Sequence, residues 1–227
     1  MKHNSRYRRA GVVGCIGLIA FWLAGCGAIV TSSLPIQATT STSGAQSYPT
    51  PTSAQTLYSN ALTAPAAGWA SGPECAFTSN GLVVRPGGGQ AYICLAPTNA
   101  LADVSVTVTV QQMSGPLTHA YGIALRHTAP KNYYFFGIDG KGRYTFTTVV
   151  NDISHTVIPF TSNAAIHSGA NAINRLQAIA KGNTITLLVN SATVGQATLT
   201  TYASGAIGLR GINDGEVIFQ QLTIARV

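Results

Sequence analysis

Charge is the first thing this sequence has little of. Aspartate, glutamate, lysine and arginine make up 8% of its 227 residues, as thirteen basic and six acidic side chains. Four of the basic residues (Lys2, Arg6, Arg8, Arg9) fall in the first nine positions. The other nine stand against six acids, a balance of +3, and they form no lysine or arginine stripe. That excludes the dense basic footprint of a nucleic-acid partner. A phosphate loop is missing too, since GIDGKGRY lacks the G-x-x-x-x-G-K-[ST] spacing and any helix to follow. No G-x-S-x-G elbow is present to raise a nucleophilic serine. Cysteine is limited to Cys15, Cys26, Cys75 and Cys94, and no histidine lies at metal-ligand spacing from any of them. No segment carries a convincing helical period.

What is present begins with a targeting signal. Residues 1–25 resemble a bacterial lipoprotein signal peptide, with the basic stretch MKHNSRYRR followed by the apolar run AGVVGCIGLIAFW. That run is too short to span a bilayer as a helix. It leads into Leu23-Ala24-Gly25-Cys26, which matches a lipobox. The resemblance implies cleavage before Cys26 and a diacylglycerol on its thiol, so the expected partner is the membrane. Two or three acyl chains, at about 0.8 kcal/mol per buried methylene, hold a protein there stably. The expected place is therefore the cell membrane, on its extracytoplasmic side. Residues 26–56, rich in Ser, Thr and Pro, read as a flexible linker. Some 30 residues of random coil span on the order of 30 Å.

Residues 57–227 form one domain, large enough for a substantial core. Strict alternation in LADVSVTVTVQ puts Val104, Val106, Val108 and Val110 on one face of a strand. Tyr121–Arg126, Asn132–Ile138 and Arg143–Val149 follow as three short strands, the last two joined by the glycine-rich turn Asp139-Gly140-Lys141-Gly142. In the first of these, Ile123 and Leu125 share one face, and Gly122, Ala124 and Arg126 the other. Further strands are expected at 57–62, 82–85, 90–95, 156–160, 175–180, 184–190, 195–200, 206–210 and 217–225. The glycine, asparagines and later pattern of SNAAIHSGANAINRLQAIAKG favour strand over helix despite its alanines. Eleven to thirteen short strands without a helix predict two layered antiparallel sheets. Export means oxidation, and with Cys15 discarded and Cys26 acylated, Cys75 and Cys94 are left to pair. The expected geometry is two adjacent antiparallel strands. Trp69 reads as a core or rim plug.

The order GIALR, NYYFFGIDGKGRYTF, NRLQAIAKGNTITLLVN, SGAIGLRGINDGEVIFQQLTI resembles the concanavalin A-like lectin/glucanase jelly roll, over about residues 57–227. It is similar to the family-16-like, 3-keto-disaccharide-hydrolase-type branch. The resemblance implies an all-β two-sheet sandwich that contacts carbohydrate on one sheet face. It also exposes a gap, because the E-x-D-x-E strand of the catalytic glucanases is absent here.

Glycoside hydrolysis needs two carboxyls about 5 to 9 Å apart across the scissile bond. The six acids, Glu74, Asp103, Asp139, Asp152, Asp214 and Glu216, all fall at or beside expected turns, where such residues serve backbone geometry. No catalytic residue, metal site or cofactor is assigned, and loop calcium from so few carboxylates is a minor alternative. His119, His127, His155 and His167 lie in or near loops. The candidate binding residues are Arg126, Tyr134, Tyr144 and Arg210. Rings stack on the apolar faces of sugars and forked donors bind hydroxyls. Tyr134 and Phe136 share one face of their strand, Tyr133 and Phe135 the other, and one pair must be core. The leading expectation is non-catalytic binding of a glycan or cell-wall polymer. The alternatives are a glycoside hydrolase or lyase, and a structural surface domain contacting a protein partner.

Overall fold

The computed structural model describes residues 54–69, 71–87, 90–129, 131–211 and 213–227. The targeting segment, Cys26, the linker through residue 53 and the glycine turn at 88–89 lie outside the described residues.

Fourteen strands and no helix are found among the described residues. In chain order they are β1 (Thr56–Asn60), β2 (Cys75–Thr78), β3 (Gly81–Val84), β4 (Ile93–Leu95) and β5 (Val104–Gln112). Next come β6 (Tyr121–Ala129), β7 (Asn132–Ile138), β8 (Arg143–Val150), β9 (Ile153–Ser162) and β10 (Ile173–Lys181). The last are β11 (Thr184–Val189), β12 (Ala192–Thr198), β13 (Ala206–Arg210) and β14 (Val217–Arg226). One sheet runs β12-β11-β10-β5-β14-β3-β2, with β1 also on β14, and the other runs β4-β13-β6-β7-β8-β9. All pairs are antiparallel. Two-sheet antiparallel packing is what the alternating patterns demand.

The core lies between the sheets. The four valines of β5 are buried, as their alternation requires. They meet inward residues of the six-stranded sheet such as Ile123, Leu125, Phe136 and Phe146 in one cluster. Full burial of each such side chain contributes about 1.5–3 kcal/mol. The alanine-rich segment ends in a strand as expected, not a helix: Leu176, Ala178 and Ala180 of β10 are buried while Ile173, Arg175 and Lys181 are exposed. Strand β14 gives one edge to two short partners, β3 along Val217–Phe219 and β1 along Leu222–Ala225. Gln221, at φ 55°, makes the bulge between them.

Two strands begin three residues earlier than expected. Strand β9 opens at Ile153 rather than Thr156, and β12 at Ala192 rather than Gly195. Each follows a two-residue turn with both φ values positive, Asn151-Asp152 (51° and 73°) and Asn190-Ser191 (50° and 71°). Such turns match the twist of a hairpin, so both strands begin at once.

Cys75 and Cys94 form the expected disulfide, with Cα atoms 6.0 Å apart. Its setting is a correction, because β2 and β4 are edge strands of different sheets, not adjacent strands of one. The bond clasps the two sheets at one side, and its loop of about twenty residues contributes roughly 3 kcal/mol by chain entropy. Trp69 is a core plug, its indole N–H donating to the Tyr58 hydroxyl at 2.6 Å and its ring edge-on to Phe77.

Candidate functional site

Strand β7 reads NYYFFGI, and its pleat sends alternate rings to opposite sides. Tyr134 and Phe136 point into the sandwich and are fully buried; Tyr133 and Phe135 belong to a separate cluster on the outer face. This corrects the expected site on three residues. Tyr134 is core, its ring tilted against Phe146 and Tyr202 and its hydroxyl accepting the Tyr202 N–H at 2.8 Å. Tyr144 is core as well, 6% exposed, and a Cβ on Gly195 of β12 would come within 3.0 Å of its ring. It pairs with inward Ile138 and so shares its side. Alternation groups residues by face but does not say which face is wet.

Arg126 is misplaced for a different reason. Strand β6 alternates through Leu125, then breaks its register with both neighbours before Ala129. At that bulge Arg126 takes φ 50°, a region few non-glycine residues visit. The side chain turns inward and is 1% exposed. Its Nη1 donates to the Tyr202 carbonyl at 2.8 Å, and its Nη2 to those of Ala102 and Gly182 at 3.1 and 2.6 Å. Arg126 therefore ties three loops together from inside.

The outer face of the six-stranded sheet carries a groove of about 520 Å³. Tyr133 and Phe135 of β7 form its floor with their register partners Val149 and Thr147 of β8 and with Thr145, which pairs with Gly137. Ser154, Thr156 and Phe160 of β9 form one wall. Arg210, the last residue of β13, closes the other side. The guanidinium of Arg210 lies 4.2 Å above the Phe135 ring. Gly137 makes this stack possible, since a Cβ there would sit 2.5 Å from the ring's Cζ. Tyr133 in turn stacks on His127 at 5.7 Å between centroids, 19° from parallel.

Loops furnish the groove's ends. Gln112 is buried and donates through Nε2 to the carbonyls of Ser114, Gly115 and Pro116, holding the loop that carries Thr118 and His119. The Nδ1–H of His119 donates to the Asn213 carbonyl at 3.2 Å, joining two groove-lining loops. At the far end Asp152 of the β8–β9 turn accepts from Lys131 Nζ at 2.7 Å.

Electrostatically the groove centres on Arg210. Burial pulls its pKa down, opposed by the nearby Tyr133 hydroxyl. It stays a cation. Its Nε is buried and has no hydrogen-bond partner. No carboxylate pairs with it: among the described residues, which include all six acids, the ion pairs are Arg85–Glu216, Lys131–Asp152 and Arg143–Asp139. Asp139 serves its turn as expected, accepting from the backbone N–H groups of Lys141 and Arg143 at 3.0 Å each. Asp103 accepts from the Gly182 N–H at 2.8 Å, and Asp214 sits at φ 55° in a turn. Only Asp152 among the acids lines the groove. Among the described residues there is no group of three or more His, Cys, Asp or Glu suited to a metal.

Of the four expected binding residues, then, the groove contains Arg210 alone. Sequence reasoning missed Thr147, Ser154, Thr156, Phe160 and His119. The signal for Thr145 and Thr147 was available, since they alternate with Tyr144 and Phe146 on β8. It became usable only once one residue of the strand was known to face inward.

No protein-family model matches the chain, and no curated protein matches it. Solved structures do. A carbohydrate-binding module, CBM66 from Bacillus subtilis, aligns at a TM-score of 0.61 and 20% identity, over 70% of this chain and 95% of that one. A Bacillus subtilis protein of unknown function with a galectin-like fold aligns at 0.58 and 12%, over 76% and 96%. The Bacillus licheniformis β-glucanase aligns at 0.55 and 10%, over 77% and 100%. At these identities the likeness defines architecture alone: the domain has a concanavalin A-like jelly-roll fold.

Proposed function

We propose that the chain is a lipid-anchored extracytoplasmic protein whose sandwich binds glycan in the groove of the six-stranded sheet without cleaving it. One observation carries the reading. The groove joins the donors of Arg210 to the hydroxyls of Thr147, Ser154 and Thr156, while its single carboxylate, Asp152, is tied to Lys131. Sugar recognition needs convergent polar groups beside an apolar surface, and Phe160, 43% exposed, supplies a ring at the wall. Hydrolysis needs a second carboxyl across the bond, and the other five acids lie elsewhere. The carbohydrate-binding module among the similar structures supports the same reading. The lipobox ending at Cys26 supports the anchor, with the linker holding the domain clear of the membrane surface.

The test is a glycan array probed with the full chain, beside Arg210→Ala. Binding of a glycan class that this substitution abolishes is expected. Reducing ends released by the wild type but not by Asp152→Asn would overturn the non-catalytic part. Cys26→Ser should leave the membrane fraction; retention there would overturn the anchor.

A further inference from the structure

We propose that the groove selects an acidic glycan, one whose sugar bears an anionic group that docks on Arg210. This rests on the glycan reading above and names the ligand's chemistry within the same site. The first ground is a charge without a counterion. Arg210 lies half-buried in the groove, its Nε has no partner, and every acid of the chain is accounted for elsewhere or paired with Lys131. A guanidinium withdrawn from water loses hydration that neutral neighbours restore only in part. Here the compensation is one phenol hydroxyl and one ring face. An incoming anion would restore the rest through a forked, charge-assisted contact.

The second ground is orientation, because the stack on Phe135 holds the guanidinium plane before any ligand arrives. Preorganisation of that kind lowers the ordering cost of binding.

A sugar carboxylate and a sugar sulfate share this chemistry, so the test separates them. Titration calorimetry on the full chain in detergent would use four probes: oligogalacturonate, its methyl ester, a sulfated galactan and a neutral galactan. One of the two acidic probes should bind at least about tenfold tighter than its uncharged counterpart. That preference should weaken with salt and vanish in Arg210→Gln, with Arg210→Lys in between. The acidic probe that shows it identifies the anion. An ester or neutral galactan bound as tightly as its acidic counterpart overturns the charge selection and leaves the glycan reading standing. So does a preference that survives in a folded Arg210→Gln. Silence from all four probes, together with a blank glycan array, overturns the glycan reading itself.

Discussion

Arg126 and Arg210 sit on neighbouring strands, β6 and β13, and neither faces a carboxylate, yet their surroundings are opposite. Arg126 is sealed inside and spends its Nη donors on three loop carbonyls. Arg210 stands in the groove over one ring, with a single phenol hydroxyl nearby. The backbone decides between these fates. A bulge at φ 50° turns Arg126 inward, whereas β13 keeps its pleat to the end and leaves Arg210 outside. Each leaves its buried Nε without a partner, but the Nη groups of the interior arginine hold the fold together, whereas the outer arginine lines a groove.

The largest expected effect is a stability difference between the two. Arg126→Ala removes three charge-assisted hydrogen bonds and leaves a cavity where a fully buried side chain stood. Water can reach the exposed positions Ala102 and Gly182 and recover part of the loss. A destabilisation of about 3 kcal/mol is expected. Arg210→Ala should cost no more than about 1 kcal/mol, as for most residues at a solvent boundary. Urea denaturation with the disulfide intact measures both, and equal costs would break the comparison.

A second experiment tests how dry the inward side is. Tyr121, 1% exposed at the start of β6, has its pKa pushed up to about 12, by burial first and then by the charge of Asp139. Below pH 10 it is protonated in both the folded and unfolded chain, and its contribution is constant. Between pH 10 and 12 the unfolded chain ionises while the folded one resists, so stability falls as pH rises. The loss approaches about 2–3 kcal/mol by pH 12. Tyr121→Phe should remove that part of the alkaline decline. Identical declines in the two proteins would mean the phenol reaches water.

Much of the sandwich was legible in the sequence, because it follows from alternation. The valines of β5 announce their buried face, and β7 and β13 begin and end where their patterns do. Legibility fails where parity alone is the signal. Tyr133 and Tyr134 are the same residue one place apart, and nothing local says which points to water. The site expected around Tyr134 and Tyr144 was therefore on the wrong side of a correctly placed sheet. Arg126 failed through its bulge, which no residue type at that position advertises. The turns at Asn151-Asp152 and Asn190-Ser191 were readable from their residue types, since such pairs tolerate positive φ. The inter-sheet setting of Cys75–Cys94 depends on topology, which spacing does not carry.

The smallest effect is also the one that addresses parity directly, because it compares two hydroxyls one residue apart. Tyr134→Phe removes the acceptor of the Tyr202 N–H and should cost about 1 kcal/mol, the usual net worth of such a bond. Its ring stays in place, so no cavity adds to the loss. Tyr133→Phe removes the hydroxyl near Arg210, on a face where water can substitute. Stability should barely move. Affinity for the groove's ligand should instead drop several-fold, in line with one lost hydrogen bond. The pair thus separates a stability phenotype from a binding phenotype across one peptide unit. Denaturant midpoints and calorimetric titration on both variants provide the comparison. A weakened ligand with Tyr134→Phe and an unstable Tyr133→Phe would mean that β7 presents its other face to the groove.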